Sequence, residues 1–304
     1  MADGGPGFEG VPMQGPDPYG NQNNAEGSYK PMAPYGAANY NRPSKPSTAG
    51  HLSRWFQFII RHRKGRDNLA HVNRILSTTS GTDKLLMLTG YTLMALTAAL
   101  ERVNGPLPAG VDLLKATTTY PLPAFPAIRS LEVRLKALSG LISDFRIFSR
   151  LWGLFGIAEW AVQVYESPPK DQQLRQIAYA QVCVNIVYQS LENIAYLSQH
   201  KILRYSNATQ NKLWAWSCRF WAAHVALDFC RLWRIRMLRH NYKGVTDAED
   251  HEWWRQISSN LCWAPLTIHW SVENGGLLDG FTTGALGTAA GILSVQHVWR
   301  QTRT

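Results

Sequence analysis

The sequence predicts an all-α protein: a multi-helix integral membrane protein with amphipathic interfacial helices and a disordered N-terminal tail. Three observations predict it. Residues 280–299, GFTTGALGTAAGILSVQHVW, carry no Asp, Glu, Lys or Arg. At 1.5 Å per residue a helix of that length reaches about 30 Å, the thickness of a bilayer's hydrocarbon core. Residues 128–165 repeat apolar side chains at steps of three and four, the period of one helix face. No stretch alternates apolar and polar residues over a useful strand length.

The first 50 of the 304 residues are rich in Gly, Pro, Asn and Tyr and nearly lack aliphatic side chains. Such a segment cannot bury enough apolar surface to offset chain entropy and reads as a disordered tail. Its acids (Asp3, Glu9, Asp17, Glu26) outnumber its bases (Lys30, Arg42, Lys45) by one, so the formal +10 of the whole chain becomes +11 over residues 51–304, read as one helical domain. No basic stretch followed by an apolar run opens the sequence as a secretory signal would. Residues 51–66 then set Trp55, Phe56, Phe58, Ile59 and Ile60 beside Arg54, Arg61, His62, Arg63, Lys64 and Arg66. That pattern suits an interfacial anchor to anionic lipid or a basic linker. No zinc-finger, helix-turn-helix or RNA-recognition signature accompanies the charge, so nucleic acid is not an expected partner.

A helix is expected near residues 68–77, then a break at Ser-Thr-Thr-Ser-Gly-Thr (77–82) and a second helix over 83–103. Thr82 is its expected N-cap, with Asp83 at the positive end of the helix dipole. Residues 104–126 hold five prolines and two glycines and read as a loop. In the amphipathic stretch that follows, Ile128, Leu131, Leu135, Leu138, Ile142, Phe145, Phe148, Trp152 and Phe155 form the apolar stripe. Arg129, Arg134, Lys136, Arg146 and Arg150 outnumber Glu132 and Asp144 beside it. A basic amphipathic helix of this kind can lie in the headgroup plane with its stripe sunk among acyl chains; the same spacing also suits ordinary bundle core. Ser167-Pro168-Pro169 ends it. Further helices are expected over 171–203, 211–239, 253–272 and 276–299, the last as the transmembrane helix. Its glycines, Gly280, Gly284, Gly287 and Gly291, form two small-xxx-small pairs of the kind that lets helices approach closely in lipid.

Little points to catalysis. The four cysteines (Cys183, Cys218, Cys230, Cys262) form no CxxC pair and read as small apolar side chains. His224/Asp228 and His269/Glu273 each lie four apart on a helix, but neither is part of an HExxH pattern, and each reads as an ordinary polar pair. No Gly-Lys-Ser/Thr follows the glycine-rich end. No catalytic residue, metal site or cofactor is expected. Twelve Trp suit a membrane–water interface or an aromatic core.

The break and second helix, TTSGTDKLLMLTGY, resemble the N-terminal motif of the peroxisomal biogenesis factor 11 (peroxin-11) family, with Gly81, Asp83, Lys84, Leu85 and Tyr91 at the matching positions. RLKALSGLISDFRIFSRLWGLF (134–155) resembles the family's central basic amphipathic helix, especially in its gamma-type members. QSLENIAYLSQHKIL, WAWSCRFW and NLCWAPLTIHW, followed by the glycine-rich end, occupy the remaining positions in order. The resemblance spans residues 68–299. It implies a multi-pass peroxisomal membrane protein with cytosolic termini that promotes elongation and division of peroxisomes. Its implied partners are anionic phospholipid, further copies of itself and its siblings, and the organelle fission machinery. In that scheme Leu135, Leu138, Ile142 and Phe145 act as a wedge, the basic residues hold headgroups, and the glycines mediate self-association. A helical scaffold that binds protein partners, or a metabolite pore, are the alternative functions.

Overall fold

The computed structural model describes residues 63–104, 127–240, 246–273 and 276–302. The expected tail, most of the aromatic and basic run before residue 63, and the proline-rich loop lie outside the described residues. Eight α-helices follow one another among those described: α1 (Arg63–Leu76), α2 (Thr79–Asn104), α3 (Ala127–Ser149), α4 (Gly153–Glu166), α5 (Gln172–Gln199), α6 (Asn207–His240), α7 (Asp247–Trp270) and α8 (Gly280–Gln301), with a 3-10 turn, Arg150–Trp152, between α3 and α4. No strand occurs among these residues. The chain is all-α.

Local chemistry fixes the helix ends. The Asp171 carboxylate accepts the Leu174 N–H at 3.0 Å and caps α5. Thr246 and Glu249 form a capping box at α7, so that helix begins at Asp247, ahead of the expected residue 253, with Asp247, Glu249 and Asp250 in its first turn. Asp279 caps α8 through the Thr282 N–H and pairs with Arg102 of α2. These contacts hold the Asp171 and Asp279 carboxyls down to about 2. For Asp171 the leading cause is the Arg234 guanidinium; for Asp279 it is the Thr282 hydroxyl. The second helix departs from expectation. It starts at Thr79, not after Thr82, whose hydroxyl donates back to the Leu76 carbonyl at 2.8 Å.

Neighbouring helices in space run α3–α2–α8–α7–α6–α5–α4. The last turns of α3 close the arrangement on α5: Ile147 packs with Ala195, Tyr196 and Trp214, and the Tyr196 hydroxyl donates to Asp144 at 3.1 Å. At the centre, Met87 and Tyr91 of α2, Tyr188 of α5, Trp221 of α6, Trp263, Leu266 and Trp270 of α7, and Ala290 of α8 form one core. Trp221 stacks on Trp270 with centroids 5.8 Å apart and planes 12° apart. The tryptophans after residue 150 thus divide. Trp214, Trp221, Trp263 and Trp270 are buried, whereas Trp152, Trp216, Trp233 and Trp254 are exposed.

The closest helix contact is α2 against α8. The two run antiparallel, with Gly280 facing Ala98, Gly284 facing Ala95, Gly287 facing Tyr91 and Gly291 facing Leu88. Gly284, Gly287 and Gly291 are buried in this contact. This corrects the expectation that these glycines join two copies: the chain uses them for its own packing.

The expected transmembrane helix also differs from what is observed. No helix among the described residues is long and apolar enough to cross a membrane. The 22-residue α8 has sufficient length, but its Thr, Ser, Gln and His side chains and its glycines dilute its apolar character. The more apolar α4 has only 14 residues, about 21 Å.

Candidate functional site

The amphipathic stretch predicted over 128–165 is two helices joined by the 3-10 turn, and its outward face is apolar over most of its length. Leu131, Leu138, Leu141, Phe145, Phe148, Trp152 and Phe155 follow one another at steps of seven, three and four and are all exposed, Leu141 to 66%, Trp152 to 67% and Phe155 to 75%. Arg134 completes the repeat as an exposed cation between Leu131 and Leu138. Val162 and Tyr165 extend the surface along α4, in which Val164 is the one buried side chain. From Leu131 to Phe155 this face covers roughly 36 Å at helical rise.

The inward side of α3 explains which apolar residues turn out. Val133, Ile142 and Ile147 are buried. Ile142 sits over Gly90 of α2, where a Cβ would come within 3.2 Å of its γ-methyl. The Ser139 hydroxyl donates to the Gly90 carbonyl at 3.0 Å. Two members of the expected wedge are therefore displaced from it: Ile142 is core and Leu135 is half-buried. Leu141, which was not among the expected residues, stands in their place.

The expected headgroup cations are corrected more strongly. Arg129 pairs with Glu132 at 3.1 Å, Lys136 with Glu101 at 2.9 Å, Arg146 with Asp83 at 2.7 Å, and Arg150 with Glu192 at 3.0 Å. Arg146 and Glu192 are buried. Carboxylates, Glu132 on α3 itself and the other three on neighbouring elements, hold these side chains against the protein, and of the five only Arg134 stands exposed on the stripe.

The motif residues have structural roles that join the same elements. A Cβ on Gly81 would strike the Ile75 carbonyl, and the Gly81 N–H donates to the Thr78 hydroxyl at 3.1 Å. Asp83 is the partner of Arg146, a charge-assisted and bidentate contact. Lys84 is half-buried beside it. Tyr91 fills the notch left by Gly287. A cavity of about 260 Å³ opens where α1, α2 and α3 meet, lined by Ser77, Thr78, Thr79, Thr82, Asp83, Phe145 and their neighbours.

A buried polar column along α5 was not expected from periodicity. Gln181 and Asn260 donate to Asp228 at 3.2 and 2.6 Å, and Arg231 pairs with the same carboxylate at 2.6 Å. The Asn185 amide donates to Nδ1 of His224 at 2.7 Å. Further along α5, the Tyr188 hydroxyl donates to Glu192 at 2.7 Å. His224 and Asp228 are thus members of a satisfied network. The other candidate, His269, accepts the Leu278 N–H at 3.1 Å and supports the turn before α8. Among the described residues no group of three or more His, Cys, Asp or Glu could hold a metal ion.

This network carries a pH dependence. Burial is the main cause that pushes the His224 imidazole down to about 4, and an imidazole that accepts a hydrogen bond at Nδ1 is neutral. In the unfolded chain the group titrates near 6.5, so between those values the unfolded state binds more protons. Stability is then fully present above about pH 6.5 and is lost as the pH falls toward 4, by roughly 3 kcal/mol in all. Asp228, also held below its ordinary range, acts in the same direction at lower pH. The melting temperature should fall steadily from pH 7 to pH 4.5. In a His224→Gln variant that step should be absent.

The chain is similar to an uncharacterized protein of Schizosaccharomyces pombe, 29% identical over 191 residues, which cover 63% of this chain and 88% of the relative. No family model matches the chain, and no solved structure matches it.

Proposed function

We propose that the protein shapes the peroxisomal membrane, promoting elongation and division of the organelle by laying the outward face of α3 and α4 into the cytosolic leaflet. The observation that carries this reading is the exposed stripe from Leu131 to Phe155, reinforced by the ordered resemblance to the peroxin-11 family. Fully burying a Leu or Phe side chain gains roughly 1.5–3 kcal/mol. Several such side chains in line suffice to hold a protein at an interface without a spanning helix. Area occupied in one leaflet and not in the other bends the bilayer toward the protein.

The ion pairs change the expected balance of forces. With four of the five cations of α3 and the 3-10 turn engaged by carboxylates, attachment rests on apolar burial more than on headgroup charge, so raising salt should weaken it little. Anionic phospholipid, further copies of the chain and the fission machinery are the partners in this reading. Self-association uses a surface other than the glycine face, which α2 already covers.

The same seven-residue spacing favours a second reading, in which a partner helix seats on the stripe and the protein is a scaffold. A fluorescent full-length copy distinguishes them. On the membrane reading it resides on peroxisomes, and cells lacking the protein hold fewer and larger ones. Diffuse distribution with unchanged peroxisome number and size would overturn that reading.

A further inference from the structure

The joint between α3 and α4 is fastened from outside by α5, and the fastening is more elaborate than a loop requires. The Arg150 guanidinium reaches both oxygens of Glu192, at 3.1 and 3.0 Å. The Gln189 amide donates to the Arg150 carbonyl at 3.1 Å, and the Asn193 amide donates to the Leu151 carbonyl at 3.1 Å. These are carbonyls of the 3-10 turn itself. Gly153, the first residue of α4, lies so close that a Cβ there would sit 2.8 Å from the Gln189 side-chain oxygen. Tyr188 completes the shell around Glu192.

Three physical points bear on its purpose. A buried ion pair is a poor source of stability, since desolvation offsets most of the attraction; its attested use is to select one geometry. A 3-10 turn winds about 120° per residue where an α-helix winds about 100°. Residues 150–152 therefore set the phase of the apolar face of α4 relative to that of α3. Across this turn Phe148, Trp152 and Phe155 are all exposed, so the phase held here is the one that keeps the outward face continuous.

We propose that Glu192, with Gln189 and Asn193, is the positioning element that locks the α3–α4 joint, so that two short helices act on a bilayer as one stiff apolar blade. The proposal rests on the membrane reading above for its purpose and on the joint geometry for its existence. Attachment needs only apolar area, which each helix supplies by itself. Bending needs that area to be rigid and in phase. A loosened joint should thus separate the two activities.

The test uses the full chain with Cys183, Cys230 and Cys262 replaced by Ala and spin labels at Leu141→Cys and Phe155→Cys. The unaltered joint should give one narrow inter-label distance in solution. Glu192→Gln should broaden that distribution at least twofold. A Gln189→Leu/Asn193→Ala variant, which keeps the ion pair and removes the donors to the turn, should do the same and decides the matter if Glu192→Gln fails to fold. With Leu141 and Phe155 intact and no labels attached, the parent and the folded variants are then added to phosphatidylcholine vesicles containing phosphatidylserine, where the variants should bind like the parent but lose tubule formation. A narrow distribution in the variants, or tubules formed as by the parent, overturns the proposal. Failure of the parent itself to bind vesicles would overturn the membrane reading and the purpose assigned to the joint, while the solution distances would still decide whether the lock exists.

Discussion

Replacing Leu141 and Phe148 together by Asp will detach the protein from anionic vesicles while leaving it folded. Both side chains are exposed and lie seven residues apart on the outward face of α3. Each loses an apolar group from the lipid and gains a charge that stays in water. At roughly 2 kcal/mol for each lost insertion, the pair weakens binding by on the order of a thousandfold. The folded bundle loses only a small difference in helix propensity, about 0.5 kcal/mol or less per site. Flotation with vesicles and a melting curve on the same preparation check both halves. Binding that survives the double substitution would remove the stripe from the mechanism. The choice of residues matters. Leu138 with Ile142, a pair that periodicity alone recommends, mixes an exposed side chain with one buried over Gly90. Asp at Ile142 would place a carboxylate in the core and unfold the protein for reasons unrelated to lipid.

That contrast shows what periodicity conveyed and what it did not. An apolar run with period near 3.6 announced the helical stretch over 128–165 and its two-sided character. It did not say which edge of the apolar arc turns inward. Leu135 and Ile142 lie along one edge of the arc and Leu141 along the other, with Leu138 and Phe145 between them. The selection falls to Gly90 of α2, a bare spot more than 50 positions away that admits Ile142. The cations were legible as charges along residues 129–150, but three of the four acids that neutralise them, Asp83, Glu101 and Glu192, lie on elements whose proximity only the fold establishes. Helix order was readable because prolines and polar turns punctuate the chain. The 3-10 joint was not, since Arg150–Trp152 carries no glycine or proline to mark it. The absence of charge over residues 280–299 was real information with two physical causes available, lipid and protein. Glycines in register with Ala98, Ala95, Tyr91 and Leu88 identify protein as the partner of that face.

The second large effect follows from that register. Gly284→Leu will cost the protein several kcal/mol and cannot be relieved by a neighbouring side-chain change, whereas Gly287→Ala will be relieved by trimming Tyr91. At position 284 a Cβ would stand 2.5 Å from the backbone nitrogen of Ala95 and 2.7 Å from its Cα. Backbone inside a helix has nowhere to go, so α2 and α8 must separate along the closest contact of the fold. Overpacking of this sort typically costs about 1–3 kcal/mol for added methylenes, and a rigid backbone obstacle puts Leu at or beyond the upper end. At position 287 the obstacle is the ring of Tyr91. Alanine regains about 1 kcal/mol of helix propensity over glycine, yet its methyl would lie inside that ring. Removing the ring frees the space, at the expense of a cavity worth about 3–5 kcal/mol for a large aromatic. The Tyr91→Ala/Gly287→Ala pair should therefore be less destabilised than the sum of its single variants, by at least 1 kcal/mol of coupling. Gly284→Leu combined with Ala95→Gly should show little coupling, because the atoms in conflict are backbone and remain. Denaturant titration of the parent, the four single variants and the two double variants measures both quantities. If self-association in lipid were the use of these glycines, the variants would melt like the parent and differ only in oligomeric state; a stability loss of the predicted size in dilute, monomeric protein ties the motif tyrosine and the glycine ladder to one intramolecular contact.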